Sequence, residues 1–236
     1  KFSTIGFLME KEKKYLYEFI KNPTSPNILI LGGSTIKDKI NIMYNLIDKL
    51  DKILIGGAMA FTFLKAQGMN IGSSLYELEN LDLAKSMIKK ADDNNVDIHL
   101  PDDVVVSDKL DYNSSWSVRL INDIKSNECG YDIGPETTLK FQKIINISNT
   151  IIWNGPLGVC EYPVFSTGTQ SIASCIKDRT IKGAISIIGG GDTALAIKNT
   201  GYNQYYSHIS TGGGASLELL SGNELPALKA LEDNDI

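Results

Sequence analysis

Short runs of Ile, Leu and Val recur along the chain, and each is followed by a longer stretch with apolar residues at helical spacing. The runs predict strands at Asn27–Leu31, Lys52–Gly56, Asp97–Leu100, Thr150–Trp153, Ala184–Ile188 and Tyr205–Ile209. Near-continuous apolar runs belong to strands covered on both faces. Between them, Lys37–Leu50 carries Ile40, Met43, Ile47 and Leu50 on one side, the period of a helix. Leu81–Asp93 and Pro135–Ile145 repeat that pattern, and Asp192–Lys198 and Ala215–Leu220 do so more briefly. An earlier helix, Glu10–Lys21, is charged apart from Tyr15, Leu16, Phe19 and Ile20, and it ends at the loop signal Asn22-Pro23-Thr24-Ser25-Pro26. Alternating strands and helices imply βαβ crossovers. The expected fold is α/β, a three-layer Rossmann-like lobe with a mainly parallel sheet of about six strands. The first helix stands outside that sheet and reads as a linker.

Composition narrows the function classes. Hydrophobic residues make up 42% of the 236, enough for a sizeable core, and charged residues 22%. The net charge of −5 argues against a nucleic-acid binder. Two histidines, His99 and His208, make a histidine metal cage a poor fit. Cys129, Cys160 and Cys175 show no metal-ligand spacing and read as reduced thiols of a cytoplasmic protein. No apolar run reaches the roughly 18 residues of a membrane span. The chain starts Lys1-Phe2-Ser3-Thr4, without Met or a signal pattern, and reads as a fragment.

The chemistry gathers where strands end. Leu31 runs into Gly32-Gly33, Ile55 into Gly56-Gly57, Trp153 into Asn154-Gly155-Pro156, Ile188 into Gly189-Gly190-Gly191-Asp192-Thr193, and Ile209 into Ser210-Thr211-Gly212-Gly213-Gly214. Ligands of open parallel sheets bind beyond the carboxyl ends of the strands. Glycine there lets backbone amides approach a ligand, and a glycine turn opening a helix forms an anion site. Five such turns on one sheet edge point to a phosphate-bearing ligand. No G-x-x-x-x-G-K-[ST] is present, so the chain is not a P-loop ATPase. Gly189–Ala194 fits G-x-G-x-x-[GA], but Tyr205–Ser216 lacks the acidic residue a dinucleotide site needs. Asp102-Asp103 is no acid–base pair, because adjacent strand residues face opposite ways. Phosphoryl transfer, which runs on positioning and electrostatics from amides, cations and Mg²⁺, fits the inventory best.

The motifs also resemble one family. Gly6-Phe7-Leu8-Met9-Glu10-Lys11-Glu12 resembles the start of the interdomain helix of phosphoglycerate kinases. Leu31-Gly32-Gly33, Asp38-Lys39-Ile40, Ile55–Phe63 and Ile71-Gly72-Ser73-Ser74-Leu75 follow in family order, then Asp132–Thr137, Trp153–Val159, Gly189–Ala194 and Ser207–Glu218. The resemblance implies reversible phosphoryl transfer between 1,3-bisphosphoglycerate with Mg-ADP and 3-phosphoglycerate with Mg-ATP, in glycolysis. It divides the chain into a linker helix at 1–22 and the C-terminal, nucleotide-binding lobe at 23–236. The N-terminal lobe that grips phosphoglycerate would be missing, so the chain alone would bind nucleotide as a monomer without turnover.

Residue roles follow from the same resemblance. Gly32, Gly33, Gly56, Gly57, Leu75, Gly130 and Val159 would line the adenosine site, and Glu161 would accept from the ribose hydroxyls. Lys39 and Asn154 would meet the phosphates, with Pro156, Gly189 and Gly190 alongside. Asp192 would hold Mg²⁺ and Thr193 would cap the helix beside it. Gly191, Gly213 and Gly214 would offer amides to the migrating phosphoryl group. Three positions depart from the family. Thr35 stands where a lysine is usual, four residues before Lys39, and Lys37 is badly placed to replace it. Ala58 replaces a glycine of many members, and Tyr131 an aliphatic residue. Thr35 motivates an alternative: a nucleotide-binding or regulatory module with weakened catalysis.

Overall fold

In the computed structural model, the described residues are 6–7, 10–12, 14–16, 23–198, 200–223 and 225–226. Six parallel strands form the central sheet: β1 (Asn27–Leu31), β2 (Lys52–Ile55), β3 (Asp97–His99), β7 (Thr150–Asn154), β8 (Ile185–Gly189) and β9 (His208–Ile209). Their order is β3-β2-β1-β7-β8-β9. The chain builds outward from β1 to β3 on one side, then returns to place β7 on the other. The topological switch point, where open α/β sheets bind ligands, therefore lies between β1 and β7.

Both faces of the sheet are covered, as the continuous apolar runs require. Ile28 and Ile30 point to one face and Leu29 and Leu31 to the other, and all four are fully buried. One face packs α1 (Lys37–Leu46), α2 (Met59–Ala66), α3 (Leu81–Asp93) and α7 (Gly214–Leu220), through Met43, Phe63, Met87 and Leu220. The other packs α4 (Pro135–Ile147), α5 (Thr167–Ile181) and α6 (Gly191–Lys198), through Phe141, Ile145, Ile176 and Ile197. Burying a side chain of this size contributes about 1.5–3 kcal/mol.

Five elements escaped the sequence pattern, three strands and two helices. Strands β4 (Asp103–Ser107), β5 (Trp116–Leu120) and β6 (Cys129–Ile133) form a separate antiparallel sheet in the order β5-β4-β6. Trp116, Val118 and Leu120 of β5 are exposed, and β6 begins with Cys129-Gly130-Tyr131, so neither strand carries a buried apolar run. Helix α2 is buried from Met59 to Leu64 on all sides, which erases helical periodicity. Helix α5 buries Gly168, Thr169 and Ala173, small residues that leave little apolar contrast.

Boundaries shift for local reasons. The helix expected to reach Leu50 ends at Leu46 and tightens into a 3₁₀ turn over Ile47–Lys49. The last strand starts at His208, because Asn203–Tyr205 forms a 3₁₀ turn and the buried Tyr206 hydroxyl donates to the Ala173 carbonyl. Residues 10–12 and 14–16 of the expected first helix are helical, and Leu16 reaches the core. Phe19 and Ile20 lie outside the described residues. Asp102 and Asp103 do diverge. Asp102 pairs with Lys140, whereas buried Asp103 accepts from the Glu136 and Thr137 amides and caps α4.

Candidate functional site

The glycine turns after β1, β2 and β7 are packed against one another. The Gly32 amide donates to the Asn154 carbonyl at 3.0 Å, and the Gly33 amide to the Pro156 carbonyl at 2.7 Å. The Gly57 amide donates to the Leu157 carbonyl at 3.0 Å, and the Gly56 amide to the Leu31 carbonyl at 2.8 Å. A side chain on Gly32 would begin 2.1 Å from the Pro156 carbonyl oxygen, and one on Gly155 would begin 2.3 Å from the Gly32 oxygen. These glycines exist so that three strand ends can touch through bare backbone. Their amides donate to protein acceptors.

The turns after β8 and β9 differ. Gly191, Gly213 and Gly214 have open space where a side chain would start. Gly191 begins α6 and Gly214 begins α7, and the first amides of a helix have no acceptor within it. Gly213 has φ +50°, a conformation that favours glycine. Both turns therefore open helices and leave room beside their first residues.

Asn154, the last residue of β7, bridges the two groups of turns. Its side chain is buried, and the Nδ2 donor has no hydrogen-bond partner among the described residues. That donor lies 3.1 Å from where a Gly190 side chain would begin and 3.2 Å from the corresponding Gly189 position. A buried unpaired donor costs about 1–3 kcal/mol unless something fills its bond. Thr193 does not cap α6, correcting the expected role. It sits in the third position of the helix, and its buried hydroxyl accepts from the Gly155 amide at 2.6 Å, tying the β7 turn to α6. Asp192 is exposed in the first turn of α6 beside Gly191. It follows the helix start, so it is not the N-cap either.

The Lys39 ammonium approaches the Gly33 turn, 3.3 Å from where a side chain there would begin. Helix α1 starts at Lys37, so Thr35 precedes it. Thr35 and Lys39, although four residues apart, therefore do not sit on one helix.

Hydrogen bonds carry the site outward to the antiparallel sheet. Ser74 is buried and its hydroxyl accepts from the Gly130 amide at 2.9 Å, which docks the loop carrying Leu75 onto β6. Leu75 is 60% exposed and is not core. The ring of Phe61 covers Gly130, where a side chain would begin 2.1 Å from it. The Val159 amide donates to the Tyr131 carbonyl at 2.9 Å. Leu75, Gly130 and Val159 thus flank one strand, with Glu161 exposed beyond them. Cys160 sits between Val159 and Glu161, and burial pushes its thiol up to about 11. Burial and a bond to Cys129 push the Tyr131 hydroxyl up to about 12.

Sequence reasoning missed Ser74, Phe61 and Tyr112. The Tyr112 hydroxyl donates to the Glu161 carbonyl at 3.2 Å, and its ring meets Tyr162 at 4.6 Å. Tyr112 belongs to the β4–β5 hairpin, so no local pattern could reveal this pairing. Glu12 and His208 stood inside motifs without a role. His208 Nε2 lies 3.0 Å from Glu12 Oε2, and the Thr211 amide donates to Glu12 at 2.8 Å. The stretch before β1 is therefore anchored on the turn that leads to Gly213.

Comparison with known proteins agrees with this arrangement. The family model for phosphoglycerate kinase matches residues 1–223. A phosphoglycerate kinase of Chloroherpeton thalassium is 48% identical over 231 residues, covering 98% of this chain and 58% of the relative. One of Thermosipho africanus is 48% identical over 230 residues, covering 97% and 57%. The solved phosphoglycerate kinase of Coxiella burnetii superposes with a TM-score of 0.93 at 42% identity, covering 97% of this chain and 58% of that one. That of Pyrococcus horikoshii superposes at 0.83 with 30% identity, covering 96% and 56%. The chain thus spans little more than half the length of these relatives.

The two classes of glycine predict opposite responses to a methyl group. Gly32→Ala should lower stability by about 1–3 kcal/mol, the range for overpacking. Gly214→Ala should leave stability unchanged or slightly higher. Urea unfolding of the two variants measures this directly, and equal losses would refute the division.

Proposed function

The chain belongs to the phosphoglycerate kinase family, and from that premise we propose that it is the family's nucleotide-binding lobe. The activity it serves is reversible phosphoryl transfer between 1,3-bisphosphoglycerate with ADP and 3-phosphoglycerate with ATP. On this reading residues 1–22 link the lobe to a second, phosphoglycerate-binding lobe, which accounts for the rest of the relatives' length. The chain alone binds Mg-ADP or Mg-ATP and does not turn over.

The observation that carries this reading is the Asn154 donor, buried beside Gly189 and Gly190 without a partner among the described residues. A phosphate oxygen satisfies it. The Leu75, Gly130 and Val159 wall suits an apolar base, and Glu161 suits ribose hydroxyls. Lys39 at Gly33 supplies charge, while Asn154 with Gly189 and Gly190 takes the phosphates nearest β7. Gly191, Gly213 and Gly214 direct amides at the group in transit, where charge spreads over three oxygens.

Mg²⁺ fits the residues present. Among the described residues, no three His, Cys, Asp or Glu side chains converge. Mg²⁺ needs only one or two carboxylates and keeps several waters, so exposed Asp192 suffices to hold it. Bound there with nucleotide, the ion supplies neutralising charge to the phosphates.

Calorimetry with Mg-ADP tests the reading. Binding is expected at roughly micromolar to millimolar Kd. Asp192→Ala should weaken Mg-ADP binding more than metal-free ADP binding. No heat and no thermal shift at millimolar Mg-ADP would end the proposal.

Thr35 favours the second reading, a lobe whose catalysis is weakened. A threonine gives one neutral hydrogen bond where a lysine gives charge, and charge-assisted bonds are about twice as strong. Losing one donor to a transition state typically costs about 10²–10³ in rate. In a chain extended by the second lobe, Thr35→Lys should raise kcat about tenfold or more, with nucleotide affinity little changed. An unchanged kcat would mean that the charge comes from elsewhere or that Thr35 does not face the reacting phosphoryl group.

A further inference from the structure

Helix α1 carries Lys39 in its first turn but begins without a cap of its own. Its N-cap position is Ile36, an apolar residue in helical conformation that offers no side-chain oxygen. The carboxylate that serves this end comes from far along the chain. Glu77 Oε2 accepts from the Ile36 amide at 3.2 Å. The Ile36 carbonyl in turn accepts from the amides of Lys39 and Ile40, each at 2.9 Å. Ile36 is fully buried, so it is held on both sides with no freedom to drift.

Glu77 is itself fixed from two directions. Its amide donates to the hydroxyl of Thr62 at 3.1 Å, and Thr62 is fully buried in α2, the helix that opens after Gly56-Gly57. Its carboxylate accepts from Asn80 Nδ2 at 2.7 Å. Two residues earlier, the same loop presents exposed Leu75, with Ser74 bonded to the Gly130 amide. One residue, through its amide to α2 and its carboxylate to the start of α1, thus joins the loop of Leu75 to both helices.

We propose that Glu77 is a positioning residue for nucleotide binding, holding the Lys39 ammonium at the Gly33 turn while its own loop forms the wall at Leu75. The proposal rests on the nucleotide reading above. Glu77 does not touch the ligand. Its carboxylate at the amino end of α1 sets where the helix starts, and the helix start sets where Lys39 points. An acidic group at that end is also favoured by the helix dipole. Because Lys39 serves the phosphates and Leu75 the base, Glu77 mechanically links the two halves of one ligand's site.

This separation makes the role testable against simple structural support. Calorimetry is run with ADP and with adenosine on the wild-type chain, Glu77→Ala and Glu77→Gln. In Glu77→Ala the ADP affinity should fall about tenfold, the scale of one lost bond to a charged group, whereas adenosine affinity stays within about twofold. Glu77→Gln keeps an acceptor for the Ile36 amide and should restore most of the ADP affinity. Thermal unfolding of each variant checks that the chain remains folded at the assay temperature. If Glu77→Ala does not fold, Glu77→Asp replaces it. The aspartate is one methylene too short to reach Ile36, and it should show the same selective loss. Equal loss of ADP and adenosine would reduce Glu77 to structural support and overturn the proposal, as would unchanged ADP binding. A wild-type chain that binds neither ligand would instead refute the nucleotide reading itself.

Discussion

Two backbone turns, one after β1 and one after β7, meet with no side chain between them. The Gly32 and Gly33 amides reach carbonyls of Asn154 and Pro156, and the Gly57 amide reaches Leu157. Everything at the carboxyl edge of the sheet depends on that contact. The switch point of an open α/β sheet usually offers a crevice between diverging strands. Here the crevice floor is closed by backbone. The closure also fixes Asn154, whose carbonyl bonds Gly32 while its buried amide group points toward Gly189 and Gly190.

From this floor the site extends in two directions with different physics. Toward β8 and β9, Gly191, Gly213 and Gly214 have open space beside them, and each turn starts a helix whose first amides have no acceptor within it, which suits anionic groups. Toward β6 the contacts are tight and apolar, with Phe61 against Gly130 and Leu75 exposed above. A ligand with a flat apolar end and a charged end matches that polarity. Thr193, through its bond from the Gly155 amide, and Glu77, through its bond from the Ile36 amide, keep the two directions in register.

The central sheet was legible in the sequence because its strands are buried on both faces and therefore read as unbroken apolar runs, as in Ile28–Leu31. The helices with one apolar side, such as Leu81–Asp93, were legible for the complementary reason. The antiparallel sheet was hidden because β5 exposes Trp116, Val118 and Leu120, and because glycine occupies β6 where Phe61 needs room. At the site, the strand-end glycines announced a special edge, but spacing alone could not divide them into two classes. That division depends on which backbone lies opposite, a tertiary fact. The same holds for Thr193, whose position beside Asp192 reads as a cap until the helix is seen to start at Gly191.

Amide hydrogen exchange, resolved residue by residue on the chain without nucleotide, tests the closed floor and open rim most directly. The amides of Gly32, Gly33, Gly57 and Gly155 should be strongly protected, because each donates to a protein acceptor. Those of Gly191, Gly213 and Gly214 should exchange close to the rate of an open chain and gain protection when Mg-ATP is added. Equal protection across both sets before nucleotide is added, or protection confined to Gly191, Gly213 and Gly214, would contradict the account.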